Sequence, residues 1–344
     1  VSIGHDGFSL GNRNAPTISY AAFTPNFTGT NANNARGGQF WDGRSSDLVA
    51  QAGEPQLNPI EMGMLSKADV VSRLQENNAY VEAFQSYFGE NVFDDTELAY
   101  TAMSESLAAF EQSDAVSPFD SKFDRHLTGD YTLTNAEQRG MNLYFSNQTS
   151  CTRCHSTTMN NRNGQGGGRG NNRNNPAINP ATLAGSELFT NFRYFNNGTP
   201  SNTDLNNLLA SVGAHSEFLN TGDLGLFDNP QLRQNDNSRG RFRVSTLRNI
   251  AVTAPYMHNG VFQNLRTVLA FYDHQGGNPQ RSINPETGAA WDTPETPETV
   301  DNQRLRMRNL SNNQIDDLEC FLRTLTDQHF EATLPPLRDG LSCS

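Results

Sequence analysis

Apolar residues recur with the 3.6-residue period of an α-helix in several stretches of the chain. Between positions 66 and 88 they mark one face across about two helices, and Ser66 suits the N-cap of the first. Thr96–Phe110 predicts an amphipathic helix with four residues facing inward: Leu98, Ala102, Leu107 and Phe110. Further helices are predicted over Asn135–Phe145, Leu265–Tyr272 and Gln314–Leu325.

Strand signals are sparse, and much of the remaining chain has the composition of loops. Residues 1–60 are rich in Gly, Asn and Pro, Ser117–Asp130 indicates a connector, and Phe189–Phe195 indicates a short strand. The Asn/Gly-rich insert at 157–180 has almost no apolar residues and predicts a surface segment without a packed core. The expected fold class is therefore mainly α, with long loops and few short strands.

Charge and hydropathy exclude two classes of partner. The 344 residues carry a formal net charge of -12, which argues against nucleic acid or an anionic membrane, since both attract basic surfaces. No apolar run approaches the roughly 20 residues that a membrane helix needs. A protein partner remains compatible with this charge, and so does a simple role of the charge in solubility.

Cys151-Thr152-Arg153-Cys154-His155 carries the clearest chemistry in the chain. Cys-x-x-Cys-His is the attachment motif of a c-type haem, in which both thiols form thioethers and the His binds the iron. A zinc half-site would need further Cys or His ligands at matching spacing, and a redox dithiol would need a βαβ context. The motif therefore favours haem c.

Two cysteines remain, Cys320 and Cys343. They could pair and pin the C-terminal tail to the helix near residue 320, or stay as two unpaired thiols. Covalent haem is normally attached outside the cytoplasm, where disulfides also persist. We therefore expect the disulfide and a periplasmic location. The chain opens at Val1 rather than Met, so a leader could have been cleaved.

Several further motifs occur in order along nearly the whole chain. They comprise Arg13–Thr17, Gln39–Arg44, Gln51–Pro55, Asn58–Met62, Ser117–Asp120, Phe242–Asn249 and Thr253–Gly260. Together with the Cys-x-x-Cys-His motif, they resemble the bacterial di-haem cytochrome c peroxidase superfamily, most closely its MauG branch. The resemblance implies two cytochrome c-like haem domains: residues 1–130, with a helical part at 66–113, and residues 131–344. The first attachment motif of the family would lie upstream of Val1, so two haems are expected although one motif is visible.

The resemblance also assigns residues to the pocket of the first haem. Gln51 and Glu61 match positions above the iron, where a titrating group can move a proton between peroxide oxygens. Pro55 would keep that face of the iron open, and Trp41 matches a residue that relays electrons between the haems. The residues themselves also allow Glu61 as a surface carboxylate and Trp41 as a core aromatic.

Asn14 matches a family position that ligates calcium, together with backbone carbonyls from a loop near Gln234 and Asp236. Amide and carbonyl oxygens are hard ligands of the kind that Ca²⁺ prefers. Asn14 could equally be a turn residue before Pro16.

The second ligand of the visible haem separates the branches of the family. Ordinary di-haem peroxidases carry Met there, whereas MauG-type enzymes carry Tyr, and Tyr272 stands at the matching position. A thioether raises the haem potential, whereas a phenolate favours the oxidised iron. Met257 is an alternative ligand, and Tyr272 could be a buried aromatic instead. The resemblance further assigns His258 and Arg248 to cofactor binding.

The resemblance implies a periplasmic enzyme that uses hydrogen peroxide to form a high-valent iron state. That state would oxidise Trp or Tyr on a partner protein. The alternative is a conventional di-haem cytochrome c peroxidase, which reduces peroxide with electrons from a small cytochrome or cupredoxin. A single-haem electron carrier is a third possibility if no upstream attachment motif exists.

Overall fold

The computed structural model describes residues 1–157, 187–213, 222–305, 307–338 and 341–344, and most of this chain is helix or loop. Its helices are α1 Leu48–Ala52, α2 Lys67–Gln75, α3 Asn78–Phe88, α4 Thr96–Glu111, α5 Lys122–Thr128, α6 Asn135–Tyr144, α7 Thr203–Ser211, α8 Leu265–Gln275 and α9 Asn312–Arg323. Strands β1 Tyr194–Phe195 and β2 Phe242–Arg243 form an antiparallel pair. Within the described residues, this mainly helical architecture agrees with the sequence prediction.

The first helical group packs α2, α3 and α4 together behind the N-terminal loops. Ser66 caps α2 as predicted, because its side chain accepts a hydrogen bond from the Asp69 amide. Of the four residues predicted to face inward on α4, Ala102 is buried as predicted, and the other three are not. Leu98 is 48% exposed and Leu107 and Phe110 are also exposed, whereas Tyr100 and Met103 are buried. Apolar residues lie on more than one side of α4, so periodicity alone allowed two orientations.

Two local predictions between residues 117 and 195 need correction. Residues 117–130 contain a helix, α5, and its start carries a capping box in which Ser121 and Asp124 bond each other's backbone amides. That Ser-x-x-Asp signal was present in the sequence. The predicted strand Phe189–Phe195 is regular only at Tyr194–Phe195, which pairs with β2.

The main core lies in the second half of the chain, where α6 packs along α9. Gly140 of α6 permits this contact, because a Cβ at this position would lie 1.8 Å from the Asp317 carbonyl oxygen of α9. Fully buried aromatic rings fill the space beside the two helices, namely Phe123, Tyr144, Phe189 and Phe321. This packing fixes the end of α6, from which the Cys-x-x-Cys-His motif continues.

The C-terminal tail is tied to this core. Cys320 and Cys343 form the predicted disulfide, which joins the tail to α9. In the described part of the chain, no helix is both long and apolar enough to cross a bilayer. Of the insert at 157–180, all but Thr157 lies outside the described residues. The two-domain boundary at residues 130 and 131 stays a prediction.

Candidate haem site

The Cys-x-x-Cys-His motif forms one wall of a cavity of about 220 Å³. Cys151–Arg153 is a short 3₁₀ turn, separated from α6 by residues 145–150, and the amides of Cys154 and His155 bond back to the Cys151 carbonyl. This tight turn brings all three motif side chains to the same cavity. Apolar side chains supply much of the remaining wall, among them Leu265, Leu269, Leu318 and Leu322.

The protonation states of the motif suit a covalently attached haem. Burial lowers the pKa of His155 to about 4, although hydrogen bonds to backbone groups of Phe189 and Ser245 oppose this shift. Nδ1 of His155 lies 3.0 Å from the Phe189 carbonyl, so the neutral ring keeps its lone pair on Nε2. Burial raises the pKa of Cys151 to about 11 and that of Cys154 to about 12. Both thiols are free of disulfides, and the donor set fits haem c.

Tyr272 lines the same cavity and its hydroxyl is held by an amide. Asn197 Nδ2 donates to the Tyr272 hydroxyl oxygen at 3.1 Å and lies 3.5 Å from the Met257 sulfur. Burial raises the pKa of Tyr272 to about 12, and the hydrogen bond from Asn197 opposes the shift. The cavity therefore offers a phenol oxygen and, beside it, a thioether. Sequence reasoning missed Asn197, because it precedes Tyr272 by 75 positions and carries only a turn signal.

His258 is buried at the edge of the cavity and is held on two sides. Its Nε2 lies 2.8 Å from a Glu295 carboxylate oxygen, and its ring stacks on Phe242 at 3.5 Å. Asn259 Nδ2 donates to the other oxygen of Glu295 at 3.0 Å. Glu295 thus orients His258, and no motif in the sequence indicated this partner.

Trp41 lines the cavity from the N-terminal part of the chain. Its indole nitrogen donates to the Asn14 carbonyl at 2.7 Å, and the Arg243 amide donates to the Trp41 carbonyl at 2.8 Å. The Asn14 amide in turn donates to the His258 carbonyl at 2.7 Å. These bonds place Trp41 and His258 at one wall of the cavity, and the relay role of Trp41 stays a prediction.

Arg13 reinforces this wall through two buried carboxylates. It bonds Asp223 at 2.6 Å and Asp42 at 2.5 Å. Burial acts to raise the pKa of Asp223, but the Arg13 guanidinium outweighs it and holds that pKa below its usual range. The guanidinium also lies over the Phe242 ring, 5.7 Å from its centroid.

Arg248 lies outside the lining of the haem cavity, and its role in cofactor binding stays a prediction. It is fully buried in a bidentate ion pair with Asp124 and donates to the Glu187 carbonyl at 2.8 Å. It does not line the haem cavity, but a second cavity that also contacts Tyr20 and Pro16. A buried ion pair of this kind secures packing, since either charge alone would be costly to bury.

The predicted peroxide-site residues lie in one short segment, which comprises the end of α1 and the loop that follows it. Gln51 belongs to α1, and the carbonyl of Pro55 accepts a hydrogen bond from the Met62 amide at 3.2 Å. The Glu61 carbonyl accepts from the His5 amide at 2.7 Å. Gln51, Pro55 and Glu61 are all half-buried. Glu54, on the same loop, is held by Arg44 and Ser45. Gln51, Pro55 and Glu61 thus lie within one short segment, and their role in peroxide chemistry stays a prediction.

The calcium prediction is only partly matched by the geometry. The Asn14 side-chain amide lies 2.6 Å from the Pro255 carbonyl and 3.5 Å from that of Met257. Asp236 instead pairs with Arg239 at 3.0 Å on the surface. The carbonyls that the structure brings to Asn14 are therefore those of 255 and 257, not those near Gln234. Among the described residues, no three His, Cys, Asp or Glu side chains form a metal cluster.

Comparison with known proteins decides the family. The family model for di-haem cytochrome c peroxidase matches residues 1–132. The methylamine utilization protein MauG of Paracoccus denitrificans is 40% identical over 340 residues, which span 98% of this chain and 80% of that protein. The chain belongs to the di-haem cytochrome c peroxidase family.

More distant members of the family agree with this assignment. A cytochrome c551 peroxidase of Pseudomonas aeruginosa is 31% identical over 78% of this chain and 60% of its own length. The crystal structure of the di-haem peroxidase BthA from Burkholderia thailandensis matches with a TM-score of 0.77 at 27% identity. That match covers 99% of this chain and 78% of that structure. The predicted fold class and family are confirmed, and the protein is a haem-dependent oxidoreductase of a family with two haem c groups.

Proposed function

We propose that this enzyme uses hydrogen peroxide to oxidise a Trp or Tyr side chain of a partner protein. The observation that carries the proposal is the phenol of Tyr272 in the cavity of the Cys151–His155 motif. When bound, the haem supplies the redox equivalents that peroxide reduction requires. The similarity to MauG supports the same branch of the family.

Each residue of the cavity has a defined task in this proposal. The Cys151 and Cys154 thiols would hold the haem through thioether links, and the neutral His155 would offer its Nε2 lone pair to the iron. Tyr272 offers its oxygen as the second ligand, and Asn197 orients that oxygen through the 3.1 Å hydrogen bond. A hard oxygen ligand favours the oxidised metal, whereas a thioether favours the reduced one. The ligand set thus makes the site an acceptor of electrons.

The N-terminal residues prepare the peroxide and carry charge. We assign Glu61 to moving a proton between the peroxide oxygens, with Gln51 orienting the substrate beside it. Pro55 offers no side-chain ligand and so leaves its side open. Trp41 conducts electrons along the wall that it shares with His258, and its N–H proton stays in place because a peptide carbonyl is not a base.

Calcium and location complete the proposal. We propose Ca²⁺ near Asn14, where it would replace the hydrogen bond that Asn14 Nδ2 donates to the Pro255 carbonyl oxygen, a hard ligand. A periplasmic location is supported by the haem attachment motif and by the Cys320–Cys343 disulfide, since disulfides persist in oxidising compartments.

The position of Met257 favours a second candidate function. Met257 lines the same cavity, and its sulfur shares the Asn197 amide with Tyr272. If this sulfur were the ligand, the protein would be a conventional peroxidase supplied with electrons by a small cytochrome or cupredoxin. Such an enzyme needs reduction before peroxide reacts.

Replacement of Tyr272 by Met separates the two functions. In Tyr272→Met, we expect the potential of this haem to rise by on the order of 0.1 V or more, because axial ligands tune haem potentials over about 0.8 V. The all-ferric wild type should react directly with peroxide, and the variant should require prior reduction. Spectroelectrochemistry and stopped-flow absorbance measure both effects.

Two further variants control this experiment. Tyr256→Phe removes another hydroxyl from the cavity lining and should leave the potential unchanged. Met257→Leu should also leave the haem spectrum unchanged. A spectral shift in Met257→Leu, with none in Tyr272→Met, would show that sulfur is the ligand and that the conventional peroxidase is correct.

A further inference from the structure

A row of aromatic rings leads from Tyr272 to the second tryptophan of the chain. The Phe271 ring lies 5.7 Å from the Tyr272 ring and 5.6 Å from the Trp291 ring, between centroids. Phe262 closes the cluster, 5.8 Å from Trp291 and 5.1 Å from Phe271. The rings therefore connect the haem cavity to Trp291 without a gap.

Trp291 lies where this cluster reaches the surface. A turn whose backbone is joined by the Ile283–Ala290 bridge precedes it, and residues 287–290 and 292–293 are exposed. Trp291 itself is half-buried, so one part of the indole contacts the core and another part contacts solvent. The ring also stacks on His274, with centroids 5.6 Å apart. A partner side chain could therefore touch the same indole that packs against Phe271.

Indole chemistry suits a site of electron entry. The chain has two tryptophans; Trp41, in the N-terminal part, lines the cavity itself, whereas Trp291 lies outside its lining. Trp291 Nε1 donates to the Arg281 carbonyl at 2.6 Å, which fixes the ring and offers the N–H proton no basic acceptor. An electron can therefore leave the Trp291 indole without coupled loss of its proton.

We propose that Trp291 is the residue through which electrons from the partner protein enter the enzyme. This inference rests on the proposed function. Hydrogen peroxide takes up two electrons and two protons and yields two water molecules. Trp291 gives up these electrons one at a time through the Phe271 contact, and an aromatic side chain of the partner restores each. The partner is thereby oxidised by two electrons and releases the two protons.

The test uses the holoenzyme with hydrogen peroxide and no partner. Without a partner, Trp291 is not restored, so it should lose two electrons and two protons and gain one water oxygen. Peptide mass spectrometry should find this added oxygen at Trp291 in preference to Trp41. Met62 is 52% exposed and serves as the internal control, since its sulfoxide reports direct attack by peroxide.

Two variants sharpen the test. Trp291→Phe keeps an aromatic ring against Phe271 but resists oxidation, so the oxidised enzyme should persist several-fold longer before it returns to the resting spectrum. Trp291→Tyr restores an oxidisable ring and should recover much of the wild-type decay. An unchanged resting haem spectrum in both variants shows that the cavity is intact.

The outcomes distinguish this inference from the proposed function. If the all-ferric wild type does not react with peroxide at all, the proposed function fails and the role of Trp291 fails with it. If the wild type reacts but Trp291 stays unmodified and Trp291→Phe decays at the wild-type rate, the role of Trp291 alone is wrong. Modification of Met62 without Trp291 counts against the inference in the same way.

Discussion

The two sites that the chain contributes to peroxide chemistry differ in how completely they are built. The side chains of Cys151, His155 and Tyr272 are buried in one cavity, and this burial moves their pKa values well away from their usual range. The loop that carries Gln51 and Glu61 is half-buried, and beside it Met62 is 52% and Leu65 is 95% exposed. The described residues thus bury the side chains of the Cys151–Tyr272 site, whereas the segment with Gln51 and Glu61 stays partly exposed to solvent.

The two sites are stabilised by different contacts. The motif follows α6, which α9 and a group of buried aromatic rings fix in place, so its geometry depends on the main core. The Gln51–Glu61 loop is held mainly by backbone turns and by the pairing of Glu54 with Arg44 and Ser45. We therefore expect loss of the attachment thiols at the first site to abolish attachment of the cofactor, and substitutions at Gln51 or Glu61 to alter rates only.

The largest effect should follow the loss of both attachment thiols. The four cysteines of the chain comprise these two thiols and the disulfide pair, so no other thiol can replace them. In the double variant Cys151→Ala, Cys154→Ala, the intact mass should fall by one covalent haem. Ser150→Ala, next to the motif, should retain the full mass. A double variant that keeps the wild-type mass would mean that no haem is attached here.

A smaller effect should follow the replacement of Glu61 by Gln. If Glu61 shuttles the peroxide proton, Glu61→Gln should slow the reaction of the holoenzyme with peroxide by ~10²–10⁴-fold, the usual contribution of a general acid or base. Binding of the haem should not change. Glu76→Gln is the matched control, since Glu76 is exposed and pairs with Arg73. Equal stopped-flow rates in Glu61→Gln and the wild type would return Glu61 to the role of a surface carboxylate.

The same comparison explains how far sequence reasoning reached. Cys151, Cys154 and His155 were found because their spacing is local, and the helix caps at Ser66 and Thr134 follow from the same local rules. Tyr272 required the resemblance to the family. Local signals fail where partners are distant in sequence and no motif joins them.

Three findings illustrate that limit. Asn197 reaches Tyr272 across 75 positions, and Glu295 reaches His258 across 37. Arg248 pairs with Asp124 across 124 positions, and no local signal indicated this partner. Pairings of this kind depend on the packing of α5, α8 and the loops between them, which no periodicity in the sequence encodes.

The smallest expected effect concerns the disulfide, which joins the C-terminal tail to α9 in the core beside the Cys151–His155 cavity. It closes a separation of 23 residues, and loss of such a link typically costs about 2–4 kcal/mol, because the unfolded chain gains freedom. Cys343→Ser should lower the free energy of unfolding by about that amount, which a fall in the thermal midpoint of unfolding would report. Hydrogen exchange should quicken in α6 and α9, which pack together beneath the cavity, and stay unchanged in α2 and α4. A reducing agent should destabilise the wild type equally and leave Cys343→Ser unaffected. If hydrogen exchange instead quickened in α2 and α4 as strongly as in α9, the N-terminal helices and the core around α9 would unfold as one unit. The difference between the Cys151–His155 cavity and the Gln51–Glu61 loop could then not result from separate packing of the two regions.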